Sequence, residues 1–370
     1  MRNSQLEVRP IAGALGAEIH GIDLAGHVDD RTIAGIRQAL LDHGVIFFRD
    51  QTIDDEQHKA FGRRFGALFE HPNYKGMTKD PHLVMILREP TDKSIVGEDW
   101  HTDTTMVAEP PMGAILYAIE TPAYGGDTLF ANQYLAYESL SGGMEDMLAD
   151  LKAVHSDRKV AGPQAGRNAQ RSTKVREDAD WRETISVHPV VRTHPETGRK
   201  CLFVNHSYTV GFAGMSEAES APLLNYLLAQ GHRPEMTCRF AWRPGSIAFW
   251  DNRCTKHLAV NDSWRERRLM RRIQISGDRP SSRSPARIIR LRRSATRPRV
   301  RTRSRRPAFS HGPLPETGSD SPRPGCGRPM PGRRGVAGSR RPWRHPCRRW
   351  RATLAGARTR PDGWWCRSTP

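Results

Sequence analysis

Long apolar runs, clustered cysteines and an even spread of basic charge are all missing from this 370-residue chain. No stretch approaches the roughly 18 apolar residues of a membrane-spanning helix, and the N-terminal region lacks the apolar core of a signal peptide. The expectation is a cytoplasmic protein without a membrane partner. Six cysteines, Cys201, Cys238, Cys254, Cys326, Cys347 and Cys366, stand far apart, which argues against a disulfide framework and a structural zinc site. Lysine is absent after residue 280. Residues 281–370 carry 24 of the 58 basic residues, all Arg, against three of the 40 acids, a net of +21. Residues 1–280 keep 34 basic side chains against 37 acidic ones, a net of −3. The overall charge of +18 therefore belongs to the tail, and the body is an ordinary globular sequence.

The tail, residues 281–370, is rich in Arg, Pro, Gly and Ser and has almost no aliphatic periodicity. It cannot bury enough apolar surface to fold, so a disordered Arg-rich segment is expected. Twenty-four Arg without one Lys, and an isolated Trp364, Trp365 and Cys366, fit a GC-rich gene read out of frame better than a selected basic arm. Nucleic-acid binding, if there is any, is confined to this tail. Residues 1–280 are expected to form the one domain that carries the chemistry.

That domain reads as mixed α+β and predominantly β. Strands are expected at 6–11, 17–24 and 45–48, with a helix over 30–43 whose apolar stripe is Ile33, Ile36, Leu40 and Leu41, and a second helix over 54–66. Further strands are expected at 83–87, 99–106, 114–119, 128–131, 153–156, 187–193, 201–204, 236–242, 246–250 and 268–276. Helices near 133–141, 143–151 and 216–229 interrupt them. Many short strands with a few covering helices point to a double-stranded β-helix, or jelly roll.

Three residues suit a metal. On a strand, residues two apart face the same way, so His101 and Asp103 are expected to project together. His257 follows the apolar strand ending near Trp250 and is expected at a strand end. Two imidazoles and one carboxylate leave the other positions of an ion open, the arrangement of non-heme Fe(II) oxygenases. Alternation over 268–276 puts Arg268, Met270, Arg272 and Gln274 on one face and Leu269, Arg271, Ile273 and Ile275 on the other. Two guanidiniums on one inward face need partners, which small anions in a site supply; the alternative is an edge strand with surface arginines. The Gly125-Gly126 turn delivers Thr128 to a strand start, where its hydroxyl can share a carboxylate with an arginine.

These residues carry a resemblance. With Leu15 to Ile19, Val45 to Arg49, Trp100 to Asp103, Gly125 to Thr128, Val187 to His194, Trp250 to Arg253, His257 and Arg268, the chain is similar to the taurine dioxygenase and 2,4-dichlorophenoxyacetate dioxygenase family over about residues 6–280. These are Fe(II)- and 2-oxoglutarate-dependent enzymes. The resemblance implies that His101, Asp103 and His257 ligate Fe(II), and that Arg268 with Thr128 holds the distal carboxylate of 2-oxoglutarate. It implies that Arg272 meets the anionic group of the prime substrate, with His71, Tyr74 and Tyr208 in the substrate pocket. O2 is the second co-substrate. The expected reaction is hydroxylation of a small anionic organic molecule, an alkylsulfonate such as taurine, a sulfate ester or an aryloxyalkanoate, with release of succinate and CO2. Gly97 stands where the taurine branch has an asparagine, so the taurine amine loses a partner, and Arg271, which by parity faces away from the iron, stands where the family has a histidine; both departures count against taurine itself.

Two other readings stay open on the residues. A zinc hydrolase can use the same His/Asp/His set with a metal-bound hydroxide, although it leaves Arg268 and Thr128 without a role. A tail-driven nucleic-acid-binding protein is the other. Oligomeric state is left open, a homo-oligomer included.

Overall fold

Apolar alternation in the first 280 residues is realised as strands that meet on two facing sheets. The computed structural model describes residues 6–74, 79–162, 166, 168–174, 181–263 and 265–283, so all but the first three residues of the expected disordered tail lie outside the described residues. The described chain runs β1 (Glu7–Pro10), β2 (Ala17–His20), α1 (Asp30–His43), β3 (Val45–Phe48), α2 (Asp55–Arg63), β4 (Val84–Arg88), β5 (Gly113–Glu120), β6 (Thr128–Asn132), α3 (Gln133–Glu138) and α4 (Gly142–Leu148). It continues through β7 (Lys152–Ser156), β8 (Ile185–Pro189), β9 (Val191–Thr193), β10 (Lys200–Leu202), β11 (Thr209–Phe212), α5 (Glu217–Gln230), β12 (Thr237–Phe240), β13 (Ile247–Asp251), β14 (Thr255–Ala259) and β15 (Arg268–Ile275).

Seven strands form one sheet, ordered β1-β2-β3-β13-β5-β15-β4, and three form a second, ordered β12-β6-β14. Strand β3 shows how the layers arise. All four of its residues are buried, because Phe47 points between the sheets while Ile46 and Phe48 point to the helices. Between the sheets, Phe47 stacks on Phe240 at 3.9 Å and meets Phe130 edge-on at 5.7 Å. On the other face, α1 and α2 cover Ile46, Phe48, Ile115, Phe249 and Ile273. Each such side chain contributes about 1.5–3 kcal/mol of burial.

Helix α1 forms where expected because Asp29 caps it, accepting from the Thr32 N–H, and Ile33, Ile36 and Leu40 recur on its buried face. A capping box between Asp54 and Gln57 starts α2. A third apolar cluster, with Leu148, Val190, Leu202, Phe212 and Leu227, joins α3–α5 to the β11-β7-β8 sheet and the β9-β10 pair. Among the described residues no helix is long and apolar enough to cross a membrane.

The mostly-β α+β character agrees with the expectation; several elements do not. Residues 99–106 are not a strand. His101 makes one isolated bridge and a turn follows through Thr104, whose φ is +55°. The expected strand over 187–193 splits at Val190 into β8, which pairs with β7, and β9, which pairs with β10. Pro189, at the end of β8, has no N–H to continue a ladder. His257 lies in the middle of β14 rather than at a strand end, and both β14 and β11 were absent from the expectation. Strand β15 runs between β5 and β4, so it is not an edge.

Beneath β15, Arg271 points to the helix side. It donates to Asp55, to the Ile53 and Asp54 carbonyls and to His58 Nδ1. His58 is fully buried, and that burial, then the Arg271 charge, pushes its pKa down to about 3. The unfolded chain takes up this proton near pH 6.5, whereas the folded chain refuses it until about 3. Stability therefore falls as pH drops from 6.5 toward 3, by about 1.4 kcal/mol per unit from this group alone. Urea unfolding of His58→Gln at pH 7.5 and 5.5 should show a smaller loss than the parent protein; an equal loss would remove His58 from this role.

Candidate functional site

The isolated bridge between His101 and His257 builds the site. The His101 N–H donates to the His257 carbonyl at 2.9 Å, and the His257 N–H donates back to the His101 carbonyl at 2.8 Å. Residues that exchange both bonds of an antiparallel bridge stand opposite one another, with side chains on one face. Their imidazoles meet with ring centroids 4.0 Å apart. The turn at Thr104, not strand alternation, sets the Asp103 carboxylate. Its Oδ1 lies 3.5 Å from His101 Nε2 and 3.9 Å from His257 Nε2.

Neighbours fix these groups. Asn252 accepts from the Asp103 N–H at 2.8 Å and donates to the Asp103 and Pro111 carbonyls at 3.0 Å, which clamps the turn. His101 Nδ1 donates to the Asp99 carbonyl at 2.8 Å, so its Nε2 presents a lone pair inward. Burial alone would raise the Asp103 carboxyl, but the charge of Arg272 beside it overrides this and holds the group well below the usual carboxylate range. Burial, then His101, drives His257 well below its ordinary value, so its imidazole stays neutral.

The donor set fits a metal ion. Asp103 Oδ2 is buried without a hydrogen-bond partner, and two imidazoles converge beside it. A second cluster, His194, Asp251 and Cys254, provides the contrast. There the Asp251 carboxylate accepts from Arg253 Nε and Nη2 at 2.8 and 2.6 Å and from His194 Nε2 at 3.0 Å, while His194 Nδ1 accepts from the Glu196 and Thr197 N–H groups. That cluster is satisfied internally and acts as a buried brace at the end of β13.

A cavity opens on His101 and His257, lined by Ile86, Val96, Leu116, Thr128, Arg268 and Arg272 among others. Arg268 and Arg272 both project inward from β15, as alternation predicts, and both are buried. Arg272 Nη1 lies 3.3 Å from Asp103 Oδ1, its Nε and Nη2 are unpaired, and its guanidinium stands 5.7 Å over the Tyr74 ring. Trp242 Nε1 donates to the Thr128 hydroxyl oxygen at 2.9 Å, which leaves the Thr128 proton to donate elsewhere. His71 packs on Tyr74 with centroids 4.5 Å apart, and burial, then Arg272, pushes its pKa down to about 3. Tyr208 is buried in the same neighbourhood, where burial, then Tyr74 and Asp103, pushes its phenol up. His101, Thr128, His257, Arg268 and Arg272 line the cavity, Asp103 and Tyr74 lie against Arg272, His71 packs on Tyr74, and Arg271 alone points to the opposite face. Asn252 was missed, since nothing in its local sequence signals a clamp on a turn far away in the chain. Gly97 has φ +82°, and a Cβ there would lie 3.0 Å from His101 Cε1, so the backbone can pass the imidazole only without a side chain.

Comparison with known proteins agrees with this geometry. The family model for "Taurine catabolism dioxygenase TauD, TfdA family" matches residues 7–274. An alkylsulfatase of Acinetobacter baylyi is 36% identical over 276 residues, covering 74% of this chain and 86% of that protein. An alpha-ketoglutarate-dependent sulfate ester dioxygenase of Pseudomonas putida is 35% identical over 285 residues, covering 75% and 91%. The crystal structure of a taurine dioxygenase from Burkholderia xenovorans matches with a TM-score of 0.63 at 36% identity, over 76% of this chain and 92% of that one. The chain belongs to the taurine catabolism dioxygenase TauD, TfdA family, and it is an oxidoreductase of the 2-oxoglutarate-dependent dioxygenase class.

Proposed function

We propose that the protein is an Fe(II)- and 2-oxoglutarate-dependent dioxygenase of jelly-roll fold that hydroxylates a small organic sulfate ester or sulfonate in the cytoplasm. The single observation behind this reading is the convergence of His101, Asp103 and His257 beside an inward-facing Arg272 with unpaired nitrogens. A sulfate ester is favoured over taurine. Two relatives act on such esters by name, and Gly97 offers no side chain to meet an amine.

In this reading His101, Asp103 and His257 hold Fe(II), and Arg268 with Thr128 binds the distal carboxylate of 2-oxoglutarate. Bound there, Fe(II) and 2-oxoglutarate supply O2 activation, which yields succinate, CO2 and a hydroxylated substrate. The chain's own residues orient and shield. Arg272 offers a permanent cation to the substrate's anionic head next to the metal ligand Asp103, and its planar fork suits sulfate oxygens. His71, neutral at working pH, and the un-ionised Tyr74 and Tyr208 line the pocket without adding charge. Ile86, Val96 and Leu116 exclude water from the cavity wall. Hydroxylation at the carbon bearing a sulfate ester gives a product that splits into an aldehyde and sulfate.

Two tests follow. Succinate formation from 2-oxoglutarate in air with Fe(II), ascorbate and a medium-chain alkyl sulfate should fall by about 100-fold or more in Asp103→Ala. Product release with Zn(II) and no 2-oxoglutarate would instead support a hydrolase. Arg272→Ala should raise the KM for the alkyl sulfate by about 10- to 100-fold, the loss of a charge-assisted contact, while substrate-independent 2-oxoglutarate turnover persists. An unchanged KM would take Arg272 out of substrate binding.

A further inference from the structure

Arg88 and Arg268 are direct partners across the antiparallel β4–β15 pair. Their side chains therefore leave the sheet on one face, side by side. Both residues are buried, at 6% and 9% exposure. Like charges directly opposite in a ladder are destabilising, and removal of water strengthens their repulsion. The protein returns little for this. Arg88 donates from Nη1 to the Ser263 hydroxyl at 2.7 Å, and its Nε is buried without a partner. Arg268 Nε is also unpartnered. Among the described residues, neither guanidinium has a carboxylate within ion-pair distance. Burial, then the Arg88 charge, pushes Arg268 down to about 10, whereas the buried Arg253 sits between Asp251 and Glu196.

The two arginines share a cavity. Arg88 and Arg268 line it with Leu87, Ile95 and Gly126, and it has Ile86, Val96, Ala259 and Arg268 in common with the cavity that opens on His101 and His257. The Gly125-Gly126 turn lies against the pair. Gly126 has φ +67°, and a Cβ there would be 3.1 Å from Ser263 Oγ and 3.6 Å from Arg268 Cδ, so the turn passes close to Arg268 and to the hydroxyl that holds Arg88. Asp92 and Asp262 attract Arg88, and Asp127 attracts Arg268, but only from beyond ion-pair distance, so the two guanidiniums facing this cavity, which Arg171 also lines, favour an anion.

We propose that Arg88 is a second anchor for the distal carboxylate of the 2-oxo acid co-substrate, joining Arg268 and Thr128 around it. This rests on the reading of Arg268 given above. A carboxylate offers about four acceptor positions on two oxygens, enough for two guanidiniums and one hydroxyl proton. Trp242 leaves that Thr128 proton available, and Ser263 orients Arg88 by accepting from Nη1. The paired charge selects for a dianionic 2-oxo acid over one without a distal carboxylate. It also explains why a cross-strand arginine pair is tolerated inside a sheet: the co-substrate supplies the missing negative charge.

The test is calorimetric binding to the Fe(II)-loaded protein under nitrogen, where no turnover occurs, with 2-oxoglutarate and with pyruvate, which lacks the distal carboxylate. Arg88→Met should weaken 2-oxoglutarate by about 10- to 100-fold and leave pyruvate unchanged. Arg88→Lys should recover part of the loss. The metal-free thermal midpoint of Arg88→Met should not fall, because a repulsion has been removed. In air, the KM for 2-oxoglutarate should rise with kcat nearly constant. Unchanged 2-oxoglutarate affinity in Arg88→Met, with a loss in Arg268→Met, overturns the role of Arg88 alone. Unchanged affinity in both variants overturns the reading of Arg268 as well. Equal weakening of both 2-oxo acids with a lowered midpoint makes Arg88 structural and contradicts the proposal. So does binding of inorganic sulfate that disappears in Arg88→Met while 2-oxoglutarate binding is intact.

Discussion

Two backbone hydrogen bonds between His101 and His257 hold the rest of the site in place. They join segments 156 positions apart, and their antiparallel geometry leaves the two imidazoles no choice but a common face. Asp103 then needs only a turn, pinned by Asn252, to reach the same point. The seven-stranded sheet and the small β12-β6-β14 sheet supply the rigidity this demands, because β14 is locked to β6 along five register positions, one of them His257 with Phe130. Aromatic packing of Phe130 and Trp250 against the His257 ring restrains its orientation from behind.

Polar satisfaction is distributed unevenly among the buried groups. At the end of β13, Asp251, Arg253, His194 and Glu196 close a buried network in which each charge has a partner. Around the cavity, Asp103 Oδ2, Arg272 Nε and Nη2, Arg268 Nε and both side-chain polar atoms of Gln274 have none. Unpaired buried polar groups cost roughly 1–3 kcal/mol each, more for charged ones. Net stabilities of domains are only about 5–15 kcal/mol, so such a cluster is sustained by the surrounding apolar cores. Ligands that complete these bonds recover the cost on binding.

Much of this was legible in the sequence because it is local. Helix α1 follows from its cap and its apolar stripe, and β15 from its alternation, which also sorted Arg268 and Arg272 from Arg271 correctly. What escaped depends on tertiary context. Thr102, Thr104 and Thr105 have the β-branched look of a strand, yet Asn252 and the positive φ at Thr104 make the segment a turn. Strand β14 did not read as one because Lys256 and His257, both buried, occupy opposite faces and hide any apolar alternation. The pairing of Arg88 with Arg268 is invisible until the β4–β15 register is known. His71 with Tyr74 carried meaning only through family resemblance.

The most direct measurement is a crystal structure of the Fe(II)-loaded protein with anomalous data collected at the iron edge. The account predicts one strong peak bonded to His101 Nε2, His257 Nε2 and an Asp103 carboxylate oxygen, next to the Arg272 guanidinium. Iron at another place, or a His257 ring turned away from it, would contradict the account.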